Sequence, residues 1–242
     1  MTFVLSAAAA LAAPNAVEFV GQNSIWRFRD DGNEPESFWR APNFSDSGWL
    51  QGVGQFGYGE GDERTGLRVG TPPFITYYFR CTFAVARPAD YGTLLFQVLR
   101  DDGVVVYLNG NEVFRMNMPE GPITHQTPAL SQVAGADEST WFPTNVSAAW
   151  LVDGTNTLAV ELHQTSITVD ASFDLSLFGI QALQNPTLLF DRQGQATLRW
   201  NDLNFGLEQA QLPAGSWSWV TNAVSPYEIP AGGSRLFRLR SR

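Results

Sequence analysis

The sequence predicts an all-β protein made of antiparallel sandwiches, and three observations support this prediction. Asn109-Gly110 lies between the apolar runs 104–108 and 112–116, and this residue pair tolerates the positive φ angles of a two-residue hairpin. From residue 156 to residue 164, Leu and Val alternate with Ala, Glu and His, which is the period of a half-buried strand. No helical periodicity longer than about two turns occurs anywhere in the chain.

The predicted elements divide the chain into three parts. Residues 1–16 form an apolar, alanine-rich tail, residues 17–182 a first sandwich, and residues 187–242 a small second one. The boundary lies at Gln184-Asn185-Pro186, after the predicted strand 171–180. Five short strands follow it, at residues 187–191, 195–200, 206–210, 217–220 and 235–240.

The amino-terminal tail resembles the second half of a secretory signal. It ends in small residues before Pro14 but lacks the basic segment with which such signals begin. An export signal and an ordinary apolar tail therefore remain as alternatives, with export favoured. We expect the protein at the cell surface or outside the cell, and no other segment is apolar and long enough to span a bilayer.

Charge and composition exclude several classes of protein. The 242 residues carry a net charge of −9, with 44% hydrophobic and 13% aromatic residues, which is ample for packed cores. An acidic surface repels phosphate backbones, so we expect no nucleic-acid partner. Lysine is absent, which excludes Schiff-base chemistry and a Walker-type phosphate loop.

Two further motifs predict structure rather than chemistry. The glycines of 52–57 match a dinucleotide fingerprint, but Tyr58-Gly59-Glu60 follows them, and this run cannot begin the helix that such a site needs. Cys81 is the single cysteine, so no intrachain disulfide forms. Because it alternates with Phe79 and Phe83, we expect a buried, inert thiol.

A group of ordered sequence blocks resembles the galactose-binding-domain-like jelly roll. The blocks are Trp39, NFSDSGW at 43–49, GYG at 57–59, YFRCTF at 78–83, RDDGVVVYLNG at 100–110, NMP at 117–119 and NTLAVELHQ at 156–164. This fold occurs in carbohydrate-binding modules and in the non-catalytic sugar-binding domain of β-galactosidase-type enzymes. The resemblance implies an antiparallel jelly roll over residues 17–182. The carboxy-terminal strands look like the small, loosely fibronectin-like units of exported bacterial proteins.

Sugar recognition needs flat apolar faces together with planar polar groups that bracket hydroxyls. Among the aromatic residues we choose Trp141, because 137–143 is typical of a long loop, whereas Trp49 and Trp200 occupy core-like positions. Glu161 and His163 share a strand face that is either solvent-exposed or a shallow concave site. The candidate stacking residues are Tyr58, Trp141 and Trp150, and the candidate bracketing residues are Arg100, Asp101, Asp102, Glu161, His163 and Gln164.

Calcium is the one cofactor that the sequence suggests. Glu60, Asp62 and Glu63 lie on the glycine-rich loop 57–66 and offer the oxygen ligands that Ca²⁺ takes, although their spacing matches no calcium motif. For Asp101-Asp102 the favoured interpretation is a turn in which one carboxylate accepts backbone N–H groups. A contact with a sugar or with calcium is the alternative.

Three functions remain. The first is a non-catalytic extracellular carbohydrate-binding module that binds a cell-surface or other glycan. The second is a structural or adhesive surface protein that self-associates through β edges and has no small ligand. The third is a small hydrolase, which we do not favour, because the visible carboxylate pairs are sequence neighbours and no Gly-x-Ser-x-Gly motif is present.

Overall fold

A computed structural model describes residues 16–165, 170–181, 189–191, 197–199, 205–211, 215–224, 227–230 and 235–241. The chain divides into two compact units, Met1–Ala182 and Leu183–Arg242. In the first unit, two six-stranded sheets carry most of the described residues, and the predicted all-β fold class is confirmed. Within the described part of the chain, no helix has the length and apolar character needed to cross a membrane.

The first sheet has the strand order β10-β7-β12-β4-β5, and β1 also pairs with β12. Its pairs are antiparallel except for the parallel pair of β4 and β5. The strands are β1 (Ala16–Val20), β4 (Phe56–Tyr58), β5 (Thr65–Gly66), β7 (Tyr91–Asp101), β10 (Trp141–Ser147) and β12 (Ala171–Gln181).

The second sheet has the order β3-β2-β6-β11-β8-β9, and all its pairs are antiparallel. The strands are β2 (Ile25–Arg29), β3 (Leu50–Val53), β6 (Thr76–Val85), β8 (Gly103–Leu108), β9 (Asn111–Met116) and β11 (Gly154–His163). Three short 3₁₀ helices lie at Pro88–Asp90, Gly135–Ser139 and Ala148–Trp150.

The main core lies between these two sheets. Phe79 on β6 and Phe173 on β12 are fully buried, and their ring centroids are 4.4 Å apart. The ring of Phe56 on β4 also packs there, with its centroid 5.0 Å from that of Phe79. Alternate residues of each strand point into this layer, as the period of two in the sequence predicts.

The predicted hairpin is confirmed. Asn109 and Gly110 both have positive φ, 52° and 86°, and they join β8 to β9 as a two-residue hairpin. Cys81 is half-buried rather than fully buried. It packs against the main core, and burial raises the pKa of its thiol.

An outer layer covers the far face of the second sheet. Trp39 is buried there against Tyr78 and Tyr107, with ring centroids 5.0 and 6.0 Å away. Arg80, itself buried, fixes this layer to the sheet. It donates hydrogen bonds to the carboxylate of Asp46 at 2.9 Å and to the backbone oxygens of Trp39 and Ala41. The face that carries Glu161 and His163 is therefore neither open to solvent nor a shallow concave site.

The described residues of the second unit form two three-stranded sheets, with the orders β13-β14-β17 and β16-β15-β18. Leu198, Leu207 and Ala223 form its buried cluster. Trp200, which we expected in the core, lies outside the described residues. The strands are β13 (Leu189–Asp191), β14 (Thr197–Arg199), β15 (Phe205–Gln211), β16 (Ser218–Trp219), β17 (Tyr227–Glu228) and β18 (Arg235–Ser241).

Candidate functional site

Two of the predicted bracketing residues, Glu161 and His163, lie together beneath the outer layer. They and Gln164 are at most 1% exposed, and the Gln164 side chain donates to the backbone oxygen of Asp101 at 2.7 Å, at the end of β7. Nε2 of His163 is 3.0 Å from Oε2 of Glu161, and its Nδ1 is 2.8 Å from the backbone oxygen of Thr127. Both ring nitrogens therefore face oxygen atoms of the protein within hydrogen-bond distance. No sugar reaches these groups unless the outer layer is displaced.

Glu161 is the centre of this buried network. Nε of Arg40 donates to Oε1 of Glu161 at 3.2 Å, and the Tyr107 hydroxyl donates to the same oxygen at 3.1 Å. Burial alone would raise the pKa of Glu161. The hydrogen bond with His163 and the charge of Arg40 outweigh burial and hold that pKa below its ordinary value. The arrangement is that of a satisfied ion network that anchors the outer layer.

Most of the other predicted site residues converge at one end of the sandwich. The Tyr58–Glu63 loop, the end of β7 and the start of β12 meet there, because β7, β12 and β4 are neighbours in the first sheet. Asp101 pairs with Ser172 across β7 and β12, and Ser172 pairs with Gly57 on β4. We name this the carboxylate end, and it comprises Tyr58, Glu60, Asp62, Glu63, Arg100, Asp101, Asp102 and Asp170.

Several charged groups at the carboxylate end already have structural partners. Both Asp102 oxygens accept backbone N–H groups, from Val133 at 2.6 Å and from Thr165 at 2.8 Å. Asp102 thus accepts backbone N–H groups, but from distant loops rather than from within the turn that the sequence analysis favoured. Glu63 accepts the N–H groups of Glu60 and Gly61, which lowers its pKa despite the opposing effect of burial.

Arg100 lies within this end, with its guanidinium 4.5 Å from the centre of the Phe142 ring. One of its nitrogens donates to the backbone oxygen of Asp102 at 2.8 Å. Burial lowers the pKa of Arg100, and the neighbouring carboxylates only partly offset this effect.

Trp141 begins strand β10, so the expectation of a long loop there is wrong. It pairs with Leu99 on β7, and the 3₁₀ helix Gly135–Ser139 ends just before it. A short 3₁₀ turn followed by an edge strand replaces the expected loop. Trp141 is half-buried and remains a candidate for stacking.

A cleft on the outer layer combines aromatic and charged groups that the sequence analysis did not select. Its volume is about 440 Å³, within the range of small-molecule sites. Trp49 lines it, half-buried in the outer layer rather than in the sandwich core, and its ring lies 5.9 Å from Phe44 and 6.1 Å from Trp39. These contacts fix the position of the Trp49 ring.

The polar walls of this cleft are two ion pairs. Arg68 donates to buried Asp30 at 2.7 Å, and Arg29 donates to Asp31 at 3.0 Å. Burial opposes ionisation of Asp31, but the hydrogen bonds from Asn33 and Arg29 lower its pKa. The lining residues are Phe28, Arg29, Asp30, Asp31, Glu36, Phe44, Ser45, Gly48, Trp49, Leu50 and Arg68.

A second cavity of about 650 Å³ adjoins the first and shares Glu36 with it. Phe38 lines the second cavity and is 82% exposed. Its φ of 71° is unusual for a bulky side chain and presents the ring outward. Arg40 and Trp39 lie beside it. We name the two cavities together the outer cleft.

Sequence reasoning missed the outer cleft because most of its residues come from loops without periodicity. Arg68 follows β5, and residues 30–49 contain no regular strand. The sequence signal that could have indicated the cleft is the high density of aromatic and charged residues between Arg29 and Trp49, which is unusual for a loop that only connects two strands.

Comparisons with known proteins give distant likenesses only. No protein-family model matches the sequence, and no curated protein matches it. Similar solved structures include β-glucuronidases from an uncultured Clostridium sp. (14% identity, TM-score 0.43), Bacteroides uniformis (15%, 0.45) and Ruminococcus gnavus in complex with uronic isofagomine (10%, 0.44). These matches cover 93, 93 and 85% of this chain.

The same matches cover 42, 27 and 36% of those enzymes, so this chain spans less than half of the length of each. At these TM-scores the likeness carries no argument about function.

Proposed function

We propose that the first unit is a non-catalytic carbohydrate-binding module that binds a glycan in the outer cleft. The observation that carries the proposal is the placement of fixed aromatic rings, Trp49 and Phe44, beside the ion pairs of Arg68 and Arg29. Sugars bind where an aromatic face meets the C–H side of the ring and planar polar groups meet its hydroxyls.

The ionisation state of the cleft supports a binding role over a catalytic one. Glycoside cleavage needs one carboxylic acid that stays protonated near neutral pH. Asp30 and Asp31 are both paired with arginines, and the pKa of Asp31 is lowered. Asp31 therefore does not suit the role of the general acid.

The size of the outer cleft favours an oligosaccharide over a single sugar. Two adjacent cavities share Glu36, and the exposed Phe38 ring offers a second stacking surface beyond Trp49. The export-like tail predicted at residues 1–16 extends the proposal to a glycan at the cell surface or outside the cell.

The proposal predicts that Phe38→Ala and Trp49→Leu each weaken glycan binding at least tenfold. Phe38 is exposed, so its truncation costs little stability, and Trp49→Leu keeps apolar volume while it removes the flat face. Wild-type protein is first screened by retention on a glycan and polysaccharide panel. Affinities for the retained glycan are then measured by calorimetry, with oligosaccharides of increasing length.

Trp150→Ala is the matched control, since Trp150 is 42% exposed and lies outside the outer cleft. The affinity of Trp150→Ala for the glycan should stay within twofold of that of wild type. Trp141→Leu tests the site that the sequence favoured. Loss of binding in Trp141→Leu with full binding in Phe38→Ala and Trp49→Leu would contradict the outer-cleft site, and a wild-type protein that binds no glycan would contradict the function itself.

A further inference from the structure

Three carboxylates from separate segments converge at the carboxylate end. Glu60 comes from the loop after β4, Asp101 ends β7, and Asp170 immediately precedes β12. One carboxylate oxygen from each lies within 4.8 Å of the oxygens from the other two. Two oxygens that bind one Ca²⁺ at 2.3–2.6 Å are separated by no more than about 5 Å, so this spacing suits a shared ion.

Asp101 distinguishes this group from an ordinary acidic surface patch. Its side chain is fully buried, and among the described residues neither of its carboxylate oxygens has a hydrogen-bond partner. A buried carboxylate without a donor is strongly unfavourable, and native proteins rarely retain one without a function. One of these oxygens is the Asp101 member of the convergent group.

The charged groups around Glu60, Asp101 and Asp170 do not neutralise these three carboxylates. The groups beside Asp101 are themselves carboxylates, namely Asp102, Asp170 and Glu60. Arg100 is the nearby cation, but it is directed to Phe142 and to the backbone oxygen of Asp102.

We propose that Glu60, Asp101 and Asp170 form a calcium site that joins the β4–β5 loop to the adjoining ends of β7 and β12. Three carboxylates within reach of one ion match the all-oxygen preference of Ca²⁺, which completes its six to eight ligands with water or backbone oxygens. The Ser172 hydroxyl donates to Oε2 of Glu60 at 2.8 Å and orients it.

This ligand set differs from the loop-only set of Glu60, Asp62 and Glu63. The loop set also has convergent oxygens, but both oxygens of Glu63 accept backbone N–H groups, and Asp62 accepts from the Gln55 side chain at 3.1 Å. Only the three-segment set contains a buried carboxylate that lacks a donor. The proposal does not depend on glycan binding.

The test is calorimetric titration of the chelator-treated full chain with Ca²⁺. We expect one Ca²⁺ per chain for the wild type and at least thirtyfold weaker binding for Asp101→Asn. We expect less than fivefold weakening for Asp62→Asn, the matched control from the loop set. At 100 times Kd, Ca²⁺ should raise the wild-type Tm by roughly 5 °C and leave the Asp101→Asn variant unchanged.

Asparagine removes the buried charge without changing the shape of the side chain, so the Tm of Asp101→Asn in chelator should equal or exceed that of wild type. If that variant fails to fold, Asp170→Asn provides the same comparison. The assignment is overturned by any of three results. These are a wild type that does not bind Ca²⁺, Asp101→Asn with unchanged affinity, and Asp62→Asn with a loss as large as that of Asp101→Asn. Mg²⁺ that binds as tightly as Ca²⁺ would overturn the choice of calcium.

Discussion

At the scale of single residues, one buried carboxylate, Glu161, contacts three polar side chains of the first unit. Glu161 receives hydrogen bonds from Arg40 and Tyr107 and contacts His163. Glu161→Gln removes the carboxylate charge that pairs with the half-buried Arg40 and that contacts the buried His163. We expect it to lower the free energy of unfolding by about 3 kcal/mol at pH 7, in line with the disruption of buried ion pairs. Urea denaturation measures this loss.

The same residue predicts a pH dependence. The pKa of Glu161 is lower in the folded protein than its ordinary value of 4.5. Its stabilising contribution is therefore complete above pH 4.5 and is lost as the pH falls through the folded pKa. The difference in free energy of unfolding between wild type and Glu161→Gln should shrink between pH 5 and pH 3, as measured by urea denaturation across this range.

Glu112→Gln is the control, because it removes an exposed partner of Arg115. It should lower the free energy of unfolding by about 0.5 kcal/mol or less at pH 7.

At the scale of elements, the hairpin between β8 and β9 depends on its two turn residues. Gly110 has a φ of 86°, and an added Cβ would have room, since its nearest neighbour would be 3.7 Å away in Ala41. The cost of Gly110→Ala is therefore conformational, about 1 kcal/mol, because alanine disfavours the left-handed region. Chemical denaturation measures it. Gly66→Ala is the control, since Gly66 has no positive φ and open space around it, and an equal loss there would contradict this explanation.

At the scale of the whole molecule, the sheet edges indicate whether the chain assembles. The edge strand β10 contains Pro143, which cannot donate to a neighbouring strand. The opposite sheet ends in β9, where Glu112 and Arg115 form a charged pair at 2.6 Å. The net charge of −9 also makes copies of the chain repel one another. In analytical ultracentrifugation we therefore expect a single sedimenting species over a hundredfold range of protein concentration. Larger species that grow with concentration would favour the assembly alternative over the glycan-binding proposal.

The sequence allowed prediction wherever a local pattern determines structure. The period of two in β6 and β11 predicted which side of each strand meets the core, and Asn109-Gly110 predicted the hairpin. Trp141 shows where this fails, because a strand on a sheet edge has few packing constraints and leaves a weak pattern. For Asp101-Asp102 the sequence suggested a carboxylate that accepts backbone N–H groups within the turn. The N–H groups that Asp102 accepts instead come from Val133 and Thr165, outside the turn.

The sequence by itself determined the all-β class, the core faces of the strands, the single cysteine and the acidic charge, because each depends on composition or on neighbours a few residues apart. The tertiary structure alone decided that residues 30–49 cover Glu161, which Arg40 contacts, and that Arg80 binds Asp46 across 34 residues. It also brought Glu60, Asp101 and Asp170, which are spread over more than 100 residues of sequence, to one point through the pairing of β4 and β7 with β12. Such convergence follows from strand order and register, which no local pattern specifies.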